Sequence, residues 1–269
     1  MMKNLKFSIV TPSYNQGLYI ERNILSVLKQ NYNDFEHIIF DGGSSDDTIE
    51  ILKKYPHLIW VSERDSGQSH AVNKGIKMAT GDIICWINSD DELEDNALHI
   101  ADDFFQSNPH EFALTGSEIN INRKNNFLSE SPSRKYFHYG LLNINKDINQ
   151  PSTFFKKEVF IRYGFLREDL HYAMDYEFFL RVTKYMDIPN ISYPLAKSRR
   201  HDATKTSSNI RMMLKEQKKV RKEYKGELFC RAAMILIWFS LKERLYGLIG
   251  DHYYNSLRSI KHLMLTKKH

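Results

Sequence analysis

The stretch GDIICWINSDDE, residues 81–92, decides the fold of this chain. Residues 83–87 are all apolar, without polar alternation, which predicts a β-strand buried on both faces. The strand ends in the polar run NSDD, which contains Asp90 and Asp91. Ligands of open α/β sheets bind at the carboxyl ends of strands, where two carboxylates can hold a divalent cation. Alternatively, the acids belong to the start of a helix that Asn96 caps.

Composition and length favour a soluble globular protein. The chain has 269 residues, of which 42% are hydrophobic and 26% are charged, enough for one large α/β domain or a domain with an appendage. Its two cysteines, Cys85 and Cys230, imply no disulfide framework, and no secretory signal is visible at the N-terminus. We therefore expect a cytoplasmic location.

Positive charge is concentrated in the C-terminal part of the chain. Residues 211–269 contain 14 Lys and Arg against 5 acids (+9), whereas residues 1–210 contain 24 against 28 (−4). The main body therefore lacks the basic surface of a nucleic-acid groove, and we expect no nucleic-acid partner. The basic tail indicates a separate anionic partner.

Four β-loop-α units follow one another in the first third of the chain. Short apolar runs predict strands over 7–10, 35–40, 58–62 and 83–87, each followed by a polar loop and, after the first three, by residues at helical spacing. This alternation predicts a mostly parallel sheet of the nucleotide-binding kind. Because neither G-x-G-x-x-G nor G-x-x-x-x-G-K-[ST] occurs in the loops, the dinucleotide fingerprint and the P-loop are excluded.

The second predicted strand ends in Asp41, Gly42 and Gly43. Two glycines after a strand let the backbone approach a ligand closely, and Asp41 would then point at that ligand. A structural turn explains the glycines equally well, although it does not need Asp41.

The second half has a weaker pattern. We predict a helix over 97–105 and a strand over 112–119, and we assign 120–148 only as connecting structure. An edge strand is predicted over 188–195, because its two prolines cannot donate to a neighbouring strand on both sides. Asp175 falls in the first turn of a predicted helix, a position that favours acids for structural reasons alone.

Residues 199–205, RRHDATK, are dense in positive charge and imidazole. Such a run is usually a solvated face. It can also close on phosphates, with His201 as a metal ligand and Arg199 and Lys205 as counter-charges.

The tail contains a basic helical stretch over 210–224 and an apolar stretch over 230–248. Its uninterrupted part, 232–241, is far shorter than the roughly 20 residues that span a bilayer. Aromatic residues beside Lys and Arg suit the headgroup region, which favours peripheral contact with an anionic membrane. An oligomer interface or a core helix is the alternative.

Separated motifs in this chain closely resemble the family 2 glycosyltransferases, above all the bacterial branch that builds O-antigen, capsule and other surface polysaccharides. The resemblance covers roughly residues 6–207. The motifs are FSIVTPSYNQGLYIERNILSVLKQNY, DGGSSDDT, SERDSGQSHAVNKGIKMATGDIICWINSDDEL, QPSTFF and HYAMDYEFFLR. The resemblance implies the GT-A fold, an α/β domain with a mixed, mostly parallel sheet flanked by helices over residues 1–207. Residues 208–269 would form a helical C-terminal extension.

The resemblance further implies a nucleotide-diphosphosugar donor, with a UDP-sugar expected, and Mg²⁺ or Mn²⁺ as cofactor. The metal would lie on Asp91 and Asp90, with His201 completing the site. Asn88 or Ser89 stands in place of the first acid of the usual D-x-D triplet, so only the last two carboxylates are carried over. Asp41 would face the base. The donor-binding residues implied are Thr11, Pro12, Tyr14, Asp41, Asp65, Asn73, Lys74, Asp90, Arg199 and Lys205.

Asp175 matches the position of the family's catalytic base, and family 2 enzymes invert the anomeric centre. The acceptor would be a hydroxyl of a glycan or of a lipid-linked or protein-linked sugar, near Gln150 and His171. The expected location is the cytoplasm, peripheral at the inner face of the plasma membrane, with self-association through the C-terminal helices as the alternative to membrane contact.

Two other classes remain open. A sugar-1-phosphate nucleotidyltransferase also uses an α/β sheet and a metal, but usually has a Gly- and Lys/Arg-rich loop after its first strand, where this chain has TPSYNQG. A non-catalytic module that binds nucleotide-sugars or carbohydrates would not need both Asp91 and Asp175, although an inactive relative can retain them.

Overall fold

The computed structural model describes residues 4–144, 147–201 and 209–227, together with 233–235, 237, 238 and 241. Within these residues one sheet of nine strands is flanked by helices. The strands are β1 (Phe7–Ser13), β2 (Phe35–Asp41), β3 (Leu58–Ser62), β4 (Ile83–Trp86), β5 (Glu92–Leu93), β6 (Ala113–Ile121), β7 (Phe127–Ser131), β8 (Thr153–Lys156) and β9 (Asn190–Arg199). The helices are α1 (Ile20–Leu28), α2 (Thr48–Leu52), α3 (Gln68–Met78), α4 (Ala97–Ser107), α5 (Lys157–Tyr163), α6 (Met174–Thr183) and α7 (Ile210–Glu223).

The first four strands form a parallel half of the sheet, as predicted, and they lie in the order β3-β2-β1-β4. Helices α1, α2 and α3 connect them along the chain. The register pairs Ser13 with Asp41 and Asp41 with Ser62, so the carboxyl ends of β1, β2 and β3 lie side by side. The polar loops that follow these strands therefore leave the sheet at one edge.

Strand β4 is buried on both faces, which confirms the prediction from its apolar run. Ile84 and Trp86 pack into one hydrophobic cluster, whereas Ile83 and Cys85 pack into another on the opposite face. All four residues are at most 1% exposed. Because both faces of this strand pack on hydrophobic clusters, its residues do not alternate between polar and apolar.

The second half of the sheet is mixed and continues from β4 in the order β8-β6-β9-β5. Strand β8 runs antiparallel to both β4 and β6, and β6 runs parallel to β9. The predicted fold class, a mixed α/β sheet flanked by helices, is confirmed.

The predicted edge strand over 188–195 forms from Asn190 and is longer than predicted, because β9 continues to Arg199. It pairs with β6, whereas β5 pairs only with Ala196 and Lys197, beyond the predicted range. Pro189 precedes the strand, and Pro194 lies where the register with β6 shifts. Because an irregular register leaves local backbone groups out of the ladder and β5 pairs only past Pro194, proline is accommodated here.

The described residues between 120 and 144 contain more regular structure than predicted. They contain β7, which forms a hairpin with β6, and a π-helix at Gly140–Ile144. The side chains of β7 are mostly exposed, so no buried face imposes the alternation by which a strand is recognised.

Helix α7 corresponds to the predicted basic helix and packs on the main body, because Leu214 and Val220 are buried, the latter within the largest core cluster. The predicted apolar segment 230–248 lies mostly outside the described residues. Among the described helices, none is both long and apolar enough to cross a membrane.

Candidate active site

A cavity of about 1090 Å³ opens at the carboxyl ends of β1, β2 and β4. The loop before α3, the segment before α6 and the end of β9 complete its walls. Predicted site residues in the lining are Pro12, Tyr14, Asp65, Asp90, Asp91, Gln150, His171, Asp175 and Arg199. Residues from distant parts of the chain thus meet around one space.

The acidic pair after β4 belongs to a turn and not to a helix start. Helix α4 begins only at Ala97, after strand β5, and it has no acid in its first turn. Asn23 of α1 stabilises the turn, because its side-chain amide donates to the backbone carbonyls of Asn88 (3.1 Å) and Asp91 (3.0 Å). The carboxyl groups of the turn are therefore presented to the cavity.

The Asp91 carboxylate is buried and oriented by two donors. It accepts hydrogen bonds from the backbone N–H of Arg199 (2.8 Å) and from the side-chain amide of Asn88 (3.2 Å). Gln68 in turn donates to Asn88 (2.6 Å). Burial raises the pKa of Asp91 well above its usual value, and the nearby charge of Asp90 raises it further.

Asp90 lies against His201, and both are predicted metal ligands together with Asp91. The Nε2 atom of His201 is 3.2 Å from a carboxylate oxygen of Asp90, and the imidazole packs on Tyr19 with ring centroids 5.0 Å apart. Carboxylates suit Mn²⁺ or Mg²⁺, and a divalent cation would offset the like charges that disfavour ionised Asp91. Among the described residues, no group of three or more His, Cys, Asp and Glu side chains is placed to hold a metal ion. The metal site therefore stays a prediction.

The guanidinium of Arg199 is buried and held by the protein. It forms an ion pair with Glu92 (2.5 Å), donates to the carbonyls of Asp90 (2.8 Å) and Asn122 (2.9 Å), and bonds to the side chain of Asn125. These contacts tie the acidic turn to β5 and to the hairpin between β6 and β7. A counter-charge role for Arg199 stays a prediction, and Lys205 lies outside the described residues.

Asp41 and Thr11 lie beneath the cavity and do not appear in its described lining. Asp41 accepts hydrogen bonds from the backbone N–H groups of Gly43 (3.0 Å) and Ser44 (2.8 Å) and from the Ser62 hydroxyl (2.7 Å). Its carboxylate therefore shapes the loop that follows β2, and its predicted contact with a base remains untested.

Thr11 pairs with a buried histidine below the same loop. Its hydroxyl is 3.0 Å from Nε2 of His37. Burial lowers the pKa of His37 to about 3, so this ring is neutral at physiological pH. The pair of Thr11 and His37 near the ends of β1 and β2 is thus polar but uncharged.

The two glycines after β2 have different roles. Gly43 has φ +82°, a left-handed conformation that favours glycine. At Gly42 a Cβ atom would lie 3.0 Å from a carboxylate oxygen of Asp65 and 3.3 Å from the ring of Tyr14. Gly42 therefore lets the loops that carry Tyr14 and Asp65 converge on the cavity.

Asn73 and Lys74 of α3 are also absent from the described lining. Asn73 is buried and forms a reciprocal pair of bonds with the backbone of Leu166, each 2.9 Å long. Lys74 forms an ion pair with Glu63. In this structure Asn73 supports the segment that leads to α6, whereas donor contacts for both residues stay predictions.

Asp175 is both a helix N-terminal acid and a lining residue of the cavity. Its carboxylate accepts a hydrogen bond from the N–H of Tyr176 (2.7 Å). His171 lies over Gly67, whose φ of +122° favours glycine. Gln150 donates to the backbone carbonyl of Trp86 (2.6 Å), which anchors it at the end of β4.

Four contributors were missed by the sequence analysis: Asn23, Arg64, Gln68 and Tyr172. Asn23 occupies a buried position of α1 among Ile20, Ile24 and Val27, and a polar residue on that face was a usable signal. Arg64 and Gln68 lie in the polar loop after β3, and Tyr172 precedes α6. Nothing in their spacing distinguishes them from ordinary loop residues.

The fold and the cavity together define a protein of the GT-A class. Its parallel half ends in polar loops around one cavity, and an antiparallel strand joins it to a second half that supplies the opposite wall. The pattern of the family described as "Glycosyl transferase family 2" matches residues 8–170. The chain belongs to this family.

Two relatives illustrate the match. Chondroitin synthase of Escherichia coli is 28% identical over 181 residues, covering 66% of this chain and 26% of the relative. The putative teichuronic acid biosynthesis glycosyltransferase TuaG of Bacillus subtilis (strain 168) is 35% identical over 118 residues, covering 42% of this chain and 46% of the relative. The alignments thus span less than half of each relative.

Solved structures of S. aureus TarS share the fold. The structure of TarS 1–349 in complex with UDP-GlcNAc has a TM-score of 0.60 and 20% sequence identity, covering 76% of this chain and 61% of that chain. The complex of the same protein with UDP has a TM-score of 0.60, covering 84% of this chain and 72% of that chain. At such identity the likeness concerns the fold.

Replacing Arg199 by Met separates its structural role from a counter-charge role. Loss of the guanidinium leaves Glu92 buried without its ion-pair partner, so we expect the free energy of unfolding to fall by about 3–5 kcal/mol. The control is Arg162→Met, because Arg162 pairs with Glu158 at the surface, with side chains 54% and 40% exposed, whereas the Arg199 side chain is 0% exposed. Urea denaturation of both variants measures the difference. Equal stability of the two variants, with weaker nucleotide binding in Arg199→Met, would contradict the structural role.

Proposed function

We propose that this protein is an inverting, metal-dependent glycosyltransferase. It moves a sugar from a nucleotide-diphosphosugar, with a UDP-sugar as the expected donor, to a hydroxyl of a glycan or lipid-linked glycan in the synthesis of bacterial surface polysaccharide. The observation that carries the proposal is that the acidic turn after β4 and Asp175 line the same cavity. Membership of glycosyl transferase family 2 supports the reaction class.

The donor binds at the loops of the parallel half. Residues 12–14, Asp65 and the close approach at Gly42 form the wall on which a nucleoside can lie. Arg64 is an exposed cation in the same wall and suits a diphosphate. The UDP and UDP-GlcNAc complexes of the similarly folded TarS support a uridine nucleotide.

Asp175 acts as general base in a single displacement. It takes the proton from the acceptor hydroxyl, whose oxygen attacks the anomeric carbon from the face opposite the diphosphate. The bond between that carbon and the phosphate oxygen breaks, and the nucleoside diphosphate leaves with the electron pair. One carboxyl group is enough on the protein side, in contrast to a glycosidase, which needs two across the bond.

Asp90 and Asp91, with His201 beside Asp90, would hold Mg²⁺ or Mn²⁺ together with donor phosphate oxygens. When bound, the cation neutralises the charge that develops on the leaving diphosphate. Arg199 and Asn88 orient the Asp91 carboxylate through the hydrogen bonds described above.

The acceptor approaches from the side of Asp175, where His171, Tyr172 and Gln150 also line the cavity. A saccharide hydroxyl is expected there, which agrees with relatives named for chondroitin and teichuronic acid synthesis. The family assignment disfavours the nucleotidyltransferase alternative, and the Asp175 variant below tests the non-catalytic one.

The protein works in the cytoplasm at the inner face of the plasma membrane, held there through its basic C-terminal part. Lys215, Lys218 and Lys222 are exposed on α7, and their spacing of three and four residues places them on one face. A row of lysines attracts anionic lipid headgroups. Self-association through the same region is the competing outcome.

Asp175→Asn should leave donor binding intact and reduce turnover at least about a hundredfold, because asparagine cannot accept the acceptor proton. Thermal stabilisation by UDP-, GDP- and dTDP-sugars with Mn²⁺ first identifies the donor, and release of the nucleoside diphosphate then measures turnover. Asp187→Asn, which removes a surface charge paired with Lys135, is the control. Wild-type turnover in Asp175→Asn would exclude Asp175 as base and favour a different catalytic group.

Asp91→Ala should abolish the tightening of UDP binding by Mn²⁺, because in the proposed site this carboxylate would hold the cation. Calorimetric titration of UDP with and without Mn²⁺ measures the effect. Asp95→Ala removes an exposed acid from the segment between β5 and α4 and should retain the full metal dependence. If Asp91→Ala retains it as well, the cation binds elsewhere.

Replacing Lys215, Lys218 and Lys222 together by Gln should weaken binding to anionic vesicles at least about tenfold, since each basic residue near such a surface contributes about 1 kcal/mol. Flotation with anionic and with neutral vesicles measures binding. The control replaces Lys29, Lys53 and Lys54, which are exposed elsewhere, by Gln and changes the net charge equally. Equal flotation of both triple variants would remove α7 as the contact, and concentration-dependent oligomers would favour self-association.

A further inference from the structure

A carboxylate from α7 caps the segment that leads to the proposed base. Glu216 accepts hydrogen bonds from the backbone N–H groups of His171 (3.0 Å), Tyr172 (2.7 Å) and Ala173 (3.0 Å) through its Oε2 atom. Its Oε1 atom also faces the N–H of His171 at 3.1 Å. Glu216 is 43 residues away in sequence from Ala173, so only the docking of α7 brings the two together.

The sequence at the start of α6 provides no side-chain cap for the helix. Ala173 precedes the first residue of α6 and has no side-chain acceptor, so α6 lacks the usual cap from its own N-terminal residue. N–H groups at a helix N-terminus need acceptors, and a negative charge there is favourable. Glu216 accepts the N–H of Ala173 and of the two residues before it, and it places a negative charge at this end of α6.

The opposite side of the segment is held by α3. Asn73 bonds to the backbone of Leu166, and the Ser69 hydroxyl donates to the carbonyl of Leu170 (3.2 Å). Residues 166–173, here called the α6 lead segment, are therefore clamped between α3 and α7. Asn73 and Glu216 hold its two ends.

Helix α7 is anchored to the main body by buried contacts, so it can hold one side of the lead segment. Val220 is fully buried, and the buried Arg221 donates to the backbone carbonyl of Leu142 (2.7 Å). Tyr224 donates its hydroxyl to Glu177 of α6 (2.6 Å). The helix thus contacts α6 directly as well as through the lead segment.

The clamped segment leads directly into the cavity wall on the side of the proposed base. His171, Tyr172, Met174 and Asp175 are in the lining, whereas Glu216 is not. The donor wall, by contrast, is built from the loops of β1, β2 and β3. We propose that Glu216 is a positioning residue that fixes the acceptor side of the cavity, and that α7, which lies outside the region matched by the family pattern, is part of the catalytic unit. The proposal rests on the proposed function, in which Asp175 is the base.

The expected consequence is a split between turnover and donor binding. A displacement of about 1 Å between reacting groups costs on the order of a hundredfold in rate. Glu216→Ala should therefore lower kcat at least about tenfold and change the donor Kd less than about twofold. Glu216→Gln should recover much of the loss, because its amide oxygen can occupy the place of Oε2, which accepts all three N–H groups.

The control is Met212→Ala on the same helix. The Met212 side chain is 42% exposed and lies one turn before Glu216, so its removal leaves the hydrogen bonds of Glu216 in place. This variant should keep kcat within about twofold of the wild type. A merely structural loss of α7 would lower thermal stability, donor binding and kcat together in Glu216→Ala, and that pattern would overturn the proposal.

Hydrogen exchange measured by mass spectrometry tests the clamp without relying on activity. In Glu216→Ala the amides of residues 171–173 should exchange at least about tenfold faster, because they lose bonds to a charged acceptor. The Leu166 amide, held by Asn73, should keep its wild-type rate. Unchanged exchange at 171–173, or unchanged kcat in an active enzyme, would refute the role of Glu216. Absence of turnover in the wild type would instead refute the proposed function, and the exchange result would still decide the clamp.

Discussion

Aromatic packing around Trp86 is the interaction on which the two halves of the molecule depend. Trp86 is the last residue of β4 and is 1% exposed. Its ring stacks on one aromatic ring and meets three more edge-on, and these come from β8, α5 and α6: Phe155, Phe160, Phe178 and Phe179. Each such pair contributes about 0.5–1.5 kcal/mol beyond the area it buries. The same strand that carries the acidic turn thus holds the helix that carries Asp175.

Buried charge organises the opposite wall in a similar way. Arg199 ends β9, and its backbone orients Asp91 while its guanidinium binds Glu92 of the short strand β5. Breaking such a pair is costly because it leaves an uncompensated charge inside the protein. The acidic turn is therefore held from three elements, α1 through Asn23, α3 through Gln68 and β9 through Arg199. A pair of carboxylates that repel each other needs such support to stay in place.

Several residues that the family resemblance singles out act here by holding other residues. Asp41 shapes the loop after β2, Asn73 holds the lead segment of α6, and Arg199 ties the acidic turn to the second half. A motif marks which residues belong to a site, but their hydrogen bonds in the fold decide whether they contact the ligand or the groups that do. In this protein, the residues that line the cavity and the residues that support them from behind belong to the same motifs.

The sequence by itself determined the parallel half, the burial of β4 on both faces and the fold class, because continuous apolar runs and helical spacing are local patterns that burial imposes directly. Motifs in the sequence assigned Asp41, Asp65, Asp90, Asp91 and Asp175 to a candidate site, and the structure brings all of them except Asp41 to the lining of one cavity. The tertiary structure alone decided that β9 continues past its prolines to Arg199 and pairs there with β5. It alone decided that Arg199 is buried and that Glu216 binds the backbone N–H groups just before α6 from 43 residues away. Such contacts form only when elements distant in sequence pack together. The periodicity of a local stretch therefore cannot predict which backbone N–H groups a carboxylate from another helix will bind.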